Sequence, residues 1–414
     1  MSARRVGVSG ATAIGVASML GAGVFVVWGP AAAEAGSALA WAVLLAGVVA
    51  ALNAGSTAQL AAVHPVAGGV YAYGRAELGP WPGFAAGIGF VLGKTASIAA
   101  IALAIGAYVW PERPEAIATA ALAASWALNS RGITRTSGAS LVIASAVGGV
   151  LVAAIVAMRG GSEGVAPVVA ELAPVDRPLL GVLAGAALVF FAFAGYARIA
   201  TLGEEVREPA ATIPRAIGTA LAVVVALYLA LALALPAALG DALATSIAPL
   251  EEAVAGTWMP EPVVTAAAAT GAFGSLLALT AGLGRTTMAM ARAADLPGPL
   301  ARVNGRGVPA LAEGVAVAVA AGLAWAGDLT VAIGVSSFAV LLYYAVAGAS
   351  AFRAAGTGRV AGWRMPRPLS ALGALLCLAL MASLPWTAIV AGVGVLALAG
   401  ATRVVARRRA GIPD

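Results

Sequence analysis

Residues 82–109, PGFAAGIGFVLGKTASIAAIALAIGAYV, carry Lys94 as their one charge in a run long enough to cross a bilayer. Crossing takes about 20 apolar residues in a helix, because lipid offers exposed backbone groups no partners. Comparable runs fall near residues 11–33, 37–62, 114–129, 138–158 and 179–203. Six more lie near 213–237, 262–291, 308–326, 329–352, 368–384 and 386–402. The expectation is an all-α integral membrane protein of 12 transmembrane helices, with residues 1–414 as one membrane domain. Composition agrees, since 61% of the residues are hydrophobic and only 10% are charged, far from soluble globular usage.

The opening, MSARRVGVSGATAIG, places basic residues before an apolar run, as a signal peptide does. The run is too long and no cleavage-like site follows, so it reads as a first helix that stays. Cys377 is the one cysteine and lies in an apolar segment, which leaves no disulfide framework and no thiolate metal site. The net charge of +6 does not point to nucleic acid, because the arginines are scattered between hydrophobic runs. Their distribution reports topology. With twelve spans, 18 arginines fall in connections on the side of the N-terminus, while Arg113, Arg159 and Arg177 fall on the other. That asymmetry places both termini in the cytoplasm and the chain in the cytoplasmic membrane. The tail RVVARRRAGIPD then reads as an ordinary cytoplasmic stop signal.

Two outward connections, RGGSEGVAPVVAELAPVDRP and LGDALATSIAPLEEAVAGTWMPEP, have room for short helices over an outer mouth. Two inward ones, VHPVAGGVYAYGRAELGPWP and ARAADLPGPLARVNGRGVP, are rich in Gly and Pro and follow spans two and eight. In the first span, Gly21, Ala22 and Gly23 cluster near mid-membrane, with Ser18 one turn earlier. Small residues there either allow close helix packing or mark a break. The sixth span holds Phe193, Ala194 and Gly195 at similar depth, five spans on. Interruptions in corresponding positions of two halves point to an inverted-repeat transporter with its site at the midplane. Unwinding frees N–H and C=O groups that need partners, and a zwitterion supplies both kinds. Its carboxylate suits a half-helix N-terminus and its ammonium suits carbonyls.

The stretch SMLGAGVFVVWGPAAAEAG resembles the first-helix motif of the amino acid, polyamine and organocation permeases. FFAFAGYARIATLGEEVREPAATIPRAI resembles their sixth helix and the loop after it, and HPVAGGVYAYGRAELGPWPGF, FGSLLALTAGLGRTTMAMARAADLPGPLARV and SSFAVLLYYAVAGASAFR also look like family patterns. The resemblance implies a LeuT-type fold of 5+5 inverted repeats, residues 11–158 and 179–352, with peripheral helices 11 and 12 over 368–402. It implies an amino acid or related amine as substrate. By position, Gly21, Ala22 and Gly23 would offer N–H groups to the carboxylate, with Ser18 and Gly195 bordering the site. Phe191, Ala192 and Ala194 would offer carbonyls to the amine, and Phe191 stands where an aromatic side chain often gates the site. Some relatives that handle cationic substrates carry an acid where this chain has Ala197, so a neutral amino acid is the expected cargo. An amine or organic cation, and export or exchange, are the alternatives.

Lys94 is the only lysine. It lies about twelve residues into its span, near 18 Å deep at about 1.5 Å per residue and too far in to snorkel. Burial disfavours the charged form, so such a lysine would titrate near physiological pH. It is the candidate for proton coupling, or for a fixed ammonium where relatives hold a sodium ion. The other readings are a substrate contact and a structural lysine donating to carbonyls of a broken helix. Proton or sodium is the expected coupling ion, and no cofactor is expected.

Arg198 reads as an anchor below the break or as a substrate contact. Glu204 and Glu205, with Arg207 and Arg215 nearby, read as an inner gate or as a solvated helix end. His64 reads as a solvated loop imidazole, with a proton relay as the other reading. Ser18, Ser275, Thr280 and Ser337 read as hydroxyl suppliers or as packing residues. A membrane enzyme is disfavoured by the lack of HExxH and of paired intramembrane acids. The absence of repeated pore loops disfavours a channel, and that of GxxxxGK[ST] an ATP-driven pump. The expected partners are a small amino acid and membrane lipid, with no nucleic acid.

Overall fold

The computed structural model describes residues 7–64, 68–132, 137–160, 172–173, 175–200, 206–327, 329–357 and 364–410. The described residues are helical apart from turns and connections. The helices are α1 (Val8–Met19), α2 (Gly23–Val26), α3 (Trp28–Ala35), α4 (Leu39–Val63), α5 (Val70–Leu78), α6 (Pro80–Val109), α7 (Pro114–Ser130) and α8 (Ser137–Gly160). They continue as α9 (Pro178–Phe193), α10 (Ala197–Ala200), α11 (Pro209–Leu239), α12 (Pro249–Val254) and α13 (Glu261–Arg292). The last four are α14 (Ala310–Ala326), α15 (Leu329–Ala355), α16 (Arg367–Ser383) and α17 (Trp386–Ala410).

Helix occupies the described part of each of the twelve expected segments. Among the described residues, nine stretches are both long and apolar enough to cross a membrane. The first of the differences is that Trp28–Val63 runs on as one helical stretch. The others are α7, α14 and α16, each a helix of 17 residues. Many large apolar side chains, among them Trp41, Leu179, Trp386 and Leu398, are exposed. Such surface is a liability in water and belongs against acyl chains. The chain is a multi-pass membrane protein. In the second connection expected outside, 240–245 forms a 3-10 turn and 249–254 forms α12. Of the two expected inside, the first forms α5 and the second a 3-10 turn over Gly298–Ala301.

The chain divides into two compact units, each drawn from separate segments. The first comprises residues 1–54, 101–118 and 135–275. Within it α11 packs along α1 and α8, α3 packs along α9, and α12 lies against α2 and α8. Small residues set the α3–α9 spacing. A methyl group at Gly185 would come within 2.8 Å of Ala35 Cβ and 3.3 Å of the Ala31 carbonyl. Backbones that close gain dispersion contacts which lipid cannot displace. Tyr228, Phe190, Phe193 and Trp28 are fully buried between these helices.

The second unit comprises residues 55–100, 119–134 and 276–414. Here α15 is the hub, packed on α16, α5 and α17. Gln59 sits in this unit near the C-terminal end of the apolar helix α4. Its amide donates to the Ala351 carbonyl at 3.0 Å and accepts from the Met365 N–H at 2.8 Å. Both faces of the amide are thus satisfied, the condition for burying it.

Polar groups of the second unit also gather around two carboxylates. Asp295 accepts from Arg75 at 2.7 Å, from the Tyr71 hydroxyl at 2.7 Å and from Arg403 at 3.0 Å. The Arg403 guanidinium lies over Trp81 and Phe84, 4.5 and 4.6 Å from the ring centroids. Glu77, on α5, meets His64 Nε2 at 2.7 Å, with the imidazole stacked on Tyr73. His64 is therefore no solvated loop imidazole. Only 16% of its side chain is exposed, and its partner is buried.

Candidate functional site

The site is built entirely within the first unit, where two helices stop and restart. The first helix ends at Met19, and the Leu20 N–H closes its last turn on the Val16 carbonyl at 2.9 Å. Leu20, Gly21 and Ala22 leave the helix, which resumes at Gly23. From there α2 and α3 act as one half-helix. The Val27 N–H reaches the Gly23 carbonyl at 3.1 Å and the Ala31 N–H reaches Val27 at 3.0 Å, across the bend at Val27. The first N–H groups of such a half-helix have no partner within it, and its dipole favours negative charge there.

The sixth span breaks less than expected. FFAF stays helical to Phe193, and the change is a single 3-10 turn over Ala194–Tyr196 before α10. The unwinding thus lies at Ala194–Gly195–Tyr196 and not in the preceding aromatic half. The two breaks touch through backbone. At Gly23 an added methyl group would lie 2.7 Å from Ala192 Cα, and at Gly195 it would collide with the Ser18 carbonyl. Glycine is needed at both positions by the approach of another chain segment. A methyl group at Gly21 would strike Ser275 Oγ.

Two tyrosines that the sequence reading passed over complete the arrangement. The Tyr228 hydroxyl, on α11, donates toward the Met19 carbonyl at 2.8 Å and the Ala192 carbonyl at 3.3 Å. The Tyr108 hydroxyl, on α6, donates to the Phe25 carbonyl at 2.9 Å. Their signal was a lone phenol in an apolar run, ALYLAL and AIGAYV, since a buried tyrosine hydroxyl needs a partner. The Phe191 carbonyl meanwhile accepts the Ala194 N–H that closes α9. So two of the three carbonyls expected to face an amine already hold a donor, each keeping its second lone pair.

The structure brings Ser18, Gly21, Ala22, Gly23, Phe191, Ala192, Ala194 and Gly195 into this one region of the first unit. Phe191 is half-buried, its ring beside Gly23. Ser18 and Ser275 spend their hydroxyls on their own helices, donating to Ile14 at 2.8 Å and Gly271 at 3.1 Å. Arg198, on α10, is exposed. Glu204 and Glu205 lie outside the described residues.

Lys94 belongs to the second unit. It is half-buried on α6, among Thr95, which donates to Val91, and Gly93, which packs on Ala339 and Val340. One turn on, Ser97 and Ser336 share a 2.7 Å hydrogen bond. Among the described residues no carboxylate pairs with Lys94, and no carbonyl accepts from it. Thr280 donates to Leu276 at 2.8 Å, while the Ser337 hydroxyl is buried with no partner among the described residues.

A half-helix amino end beside carbonyls suits a small zwitterion. The family model for amino acid permeases matches residues 10–406. The chain belongs to the amino acid permease family. An uncharacterized transporter of Mycobacterium tuberculosis is 48% identical to this permease over 413 residues, covering 98% of this chain and 92% of its own length. The vacuolar cationic amino acid transporter 4 of Arabidopsis thaliana is 28% identical over 349 residues, or 77% of the permease and 57% of the plant protein. The methylthioribose transporter of Bacillus subtilis is 26% identical over 326 residues, covering 71% of the permease and 68% of its own length. The permease is thus a transporter by family, with relatives named for chemically different cargoes.

Proposed function

We propose that this permease is a secondary active transporter of a neutral amino acid, working by alternating access in the cytoplasmic membrane with both termini in the cytoplasm. The observation that carries the reading is the break at Leu20–Ala22, set against the end of α9 through Gly23 and Ala192. The substrate carboxylate takes the N–H groups at Gly21, Ala22 and Gly23. The ammonium takes the Ala194 carbonyl and the spare lone pairs of Phe191 and Ala192, and the Phe191 ring closes over the site. The side chains of the two interruptions are small or apolar, which suits a neutral cargo. The LeuT-type arrangement of twelve helices, with repeats over 11–158 and 179–352, is part of this reading. So is coupling to a proton through Lys94, whose ammonium meets no counter-ion among the described residues.

Relatives named for cationic amino acids and for methylthioribose favour a second reading, in which the same backbone site accepts a different side chain or a thiosugar. A thermal-shift screen of the purified permease against neutral and basic amino acids, amines and methylthioribose separates the two, since a ligand bound only by the native state raises its melting temperature. Stabilisation by a small neutral amino acid is expected. Stabilisation by none of the amino acids would overturn the proposal.

A further inference from the structure

Among the described residues three carboxylates are buried, Glu77, Asp295 and Glu313, all in the second unit. Two of them have side-chain partners, the His64 imidazole for Glu77 and the two arginines for Asp295. Glu313 differs. It sits in the first turn of α14, only 1% exposed, and its Oε2 has no hydrogen-bond partner among the described residues. An ionised carboxylate left in that state costs several kcal/mol, and such a group takes up a proton instead.

The surroundings are made for this side chain. A methyl group at Gly284, on α13, would collide with Glu313 Cγ and lie 3.0 Å from its Oε1, so the glycine leaves the space that the carboxyl fills. The next residue, Arg285, is exposed and lies one position from the glycine that packs on Glu313. From α7 the neighbour is Trp126, whose indole donates to the Ala310 carbonyl at 2.9 Å and whose Nε1 would lie 3.1 Å from a methyl at Gly314. The 3-10 turn Gly298–Ala301 contributes no ionisable group, and α14 itself has no other. The carboxyl is therefore enclosed between α13 and α14, with a guanidinium one residue from the glycine it packs on.

We propose that Glu313 is a proton-binding site of the transport cycle, protonated in the conformation described here and ionised when α13 and α14 move apart. On release the O–H bond of the carboxyl breaks, the proton passes to water and Arg285 balances the carboxylate left behind. The inference rests on the alternating-access reading above and adds to it a second titrating group beside Lys94.

The test uses the full-length permease and its Glu313→Gln variant. Infrared difference spectra are recorded across a pH titration, and alanine uptake is measured in liposomes with and without a pH gradient. The expected result is a protonated-carboxyl band in the wild type that is missing from Glu313→Gln. Gradient-driven alanine accumulation in the variant should fall to the level seen without a gradient, while alanine counterflow persists. Identical carboxyl bands, or full gradient-driven accumulation by the variant, would overturn the proposal. A variant that does not fold would overturn it too, because a neutral isostere must be tolerated where a neutral acid sits. If the wild type itself accumulates no alanine under a gradient, the proton-coupled transport reading fails and the band alone decides Glu313.

Discussion

The hydroxyl of Tyr228 stands 2.8 Å from the carbonyl of Met19 and 3.3 Å from that of Ala192, so one proton is shared between the ends of two interrupted helices. Carbonyls freed by a helix end inside a membrane protein must find a donor, and this phenol supplies it. Tyr228→Phe keeps the ring, which stands 4.9 Å from Phe193 and 5.8 Å from Trp28, and removes the donor alone. The expected loss is about 1–2 kcal/mol of stability, read as a lower melting temperature in detergent. Ligand affinity should change as well, because the Ala192 carbonyl is released. Unchanged melting and unchanged binding would show that the hydroxyl is idle.

Gly195→Ala places a methyl group against the Ser18 carbonyl, which is backbone and cannot swing away. A destabilisation of roughly 1–3 kcal/mol is expected, together with loss of ligand-induced stabilisation in the melting assay. Gly149→Ala is the matched control. Its methyl group meets open space, and the change should stay within about 0.5 kcal/mol.

Lys94→Met removes an ammonium that has no carboxylate or carbonyl partner among the described residues, so little stability should be lost. Accumulation driven by a pH gradient should disappear while exchange without a gradient continues. Vesicle uptake with internal pH set independently measures both, and full gradient-driven uptake by the variant would remove Lys94 from coupling.

Glu77→Gln exchanges the charged partner of His64 for a neutral one. A charge-assisted hydrogen bond is worth about 1.5–3 kcal/mol, and a loss in that range is expected. A lower melting temperature in detergent reads that loss. A solvated imidazole, as the sequence alone suggested, would produce no change.

Asp295→Asn leaves Arg75 and the buried Arg403 without their counter-ion, at an expected cost of about 3–5 kcal/mol. The Tyr71 phenol supplies a pH signature. Burial first, and then its hydrogen bond to Asp295, push it up to about 12. An unfolded tyrosine ionises near pH 10. Between about pH 10 and about pH 12 the unfolded chain therefore releases a proton that the folded chain keeps, and stability falls as pH rises through that window. Melting curves for the wild type, Tyr71→Phe and Asp295→Asn should show the alkaline slope largest in the first and reduced in the other two.

The helices were legible in the sequence because each apolar run is bounded by Gly, Pro or charge, and lipid leaves such a run one choice of backbone. The breaks were legible for a related reason, since GAG and AFAG sit where long helices would otherwise be uninterrupted. What escaped the reading depends on pairs brought together from distant positions. Tyr228 is 209 positions from Met19, and Asp295 is 220 from Arg75; no local pattern encodes either meeting. Glu313 escaped because an acid in a first helical turn is ordinary at an exposed end, and only its burial against Gly284 makes it unusual. How slight the sixth-span break is could not be read, because glycine there serves a close approach to Ser18, which needs no more unwinding than one 3-10 turn.

Asp295 gathers α5, the turn after α13 and α17 onto one carboxylate. Arg75 and Asp295 can meet as soon as the turn after α13 has been made, but Arg403 is added only with α17. Synthesis runs from the N-terminus, so Asp295 waits for α17 before it has both cations and before Trp81 and Phe84 are covered by a guanidinium. A late-made helix thus completes an ion cluster that earlier helices began.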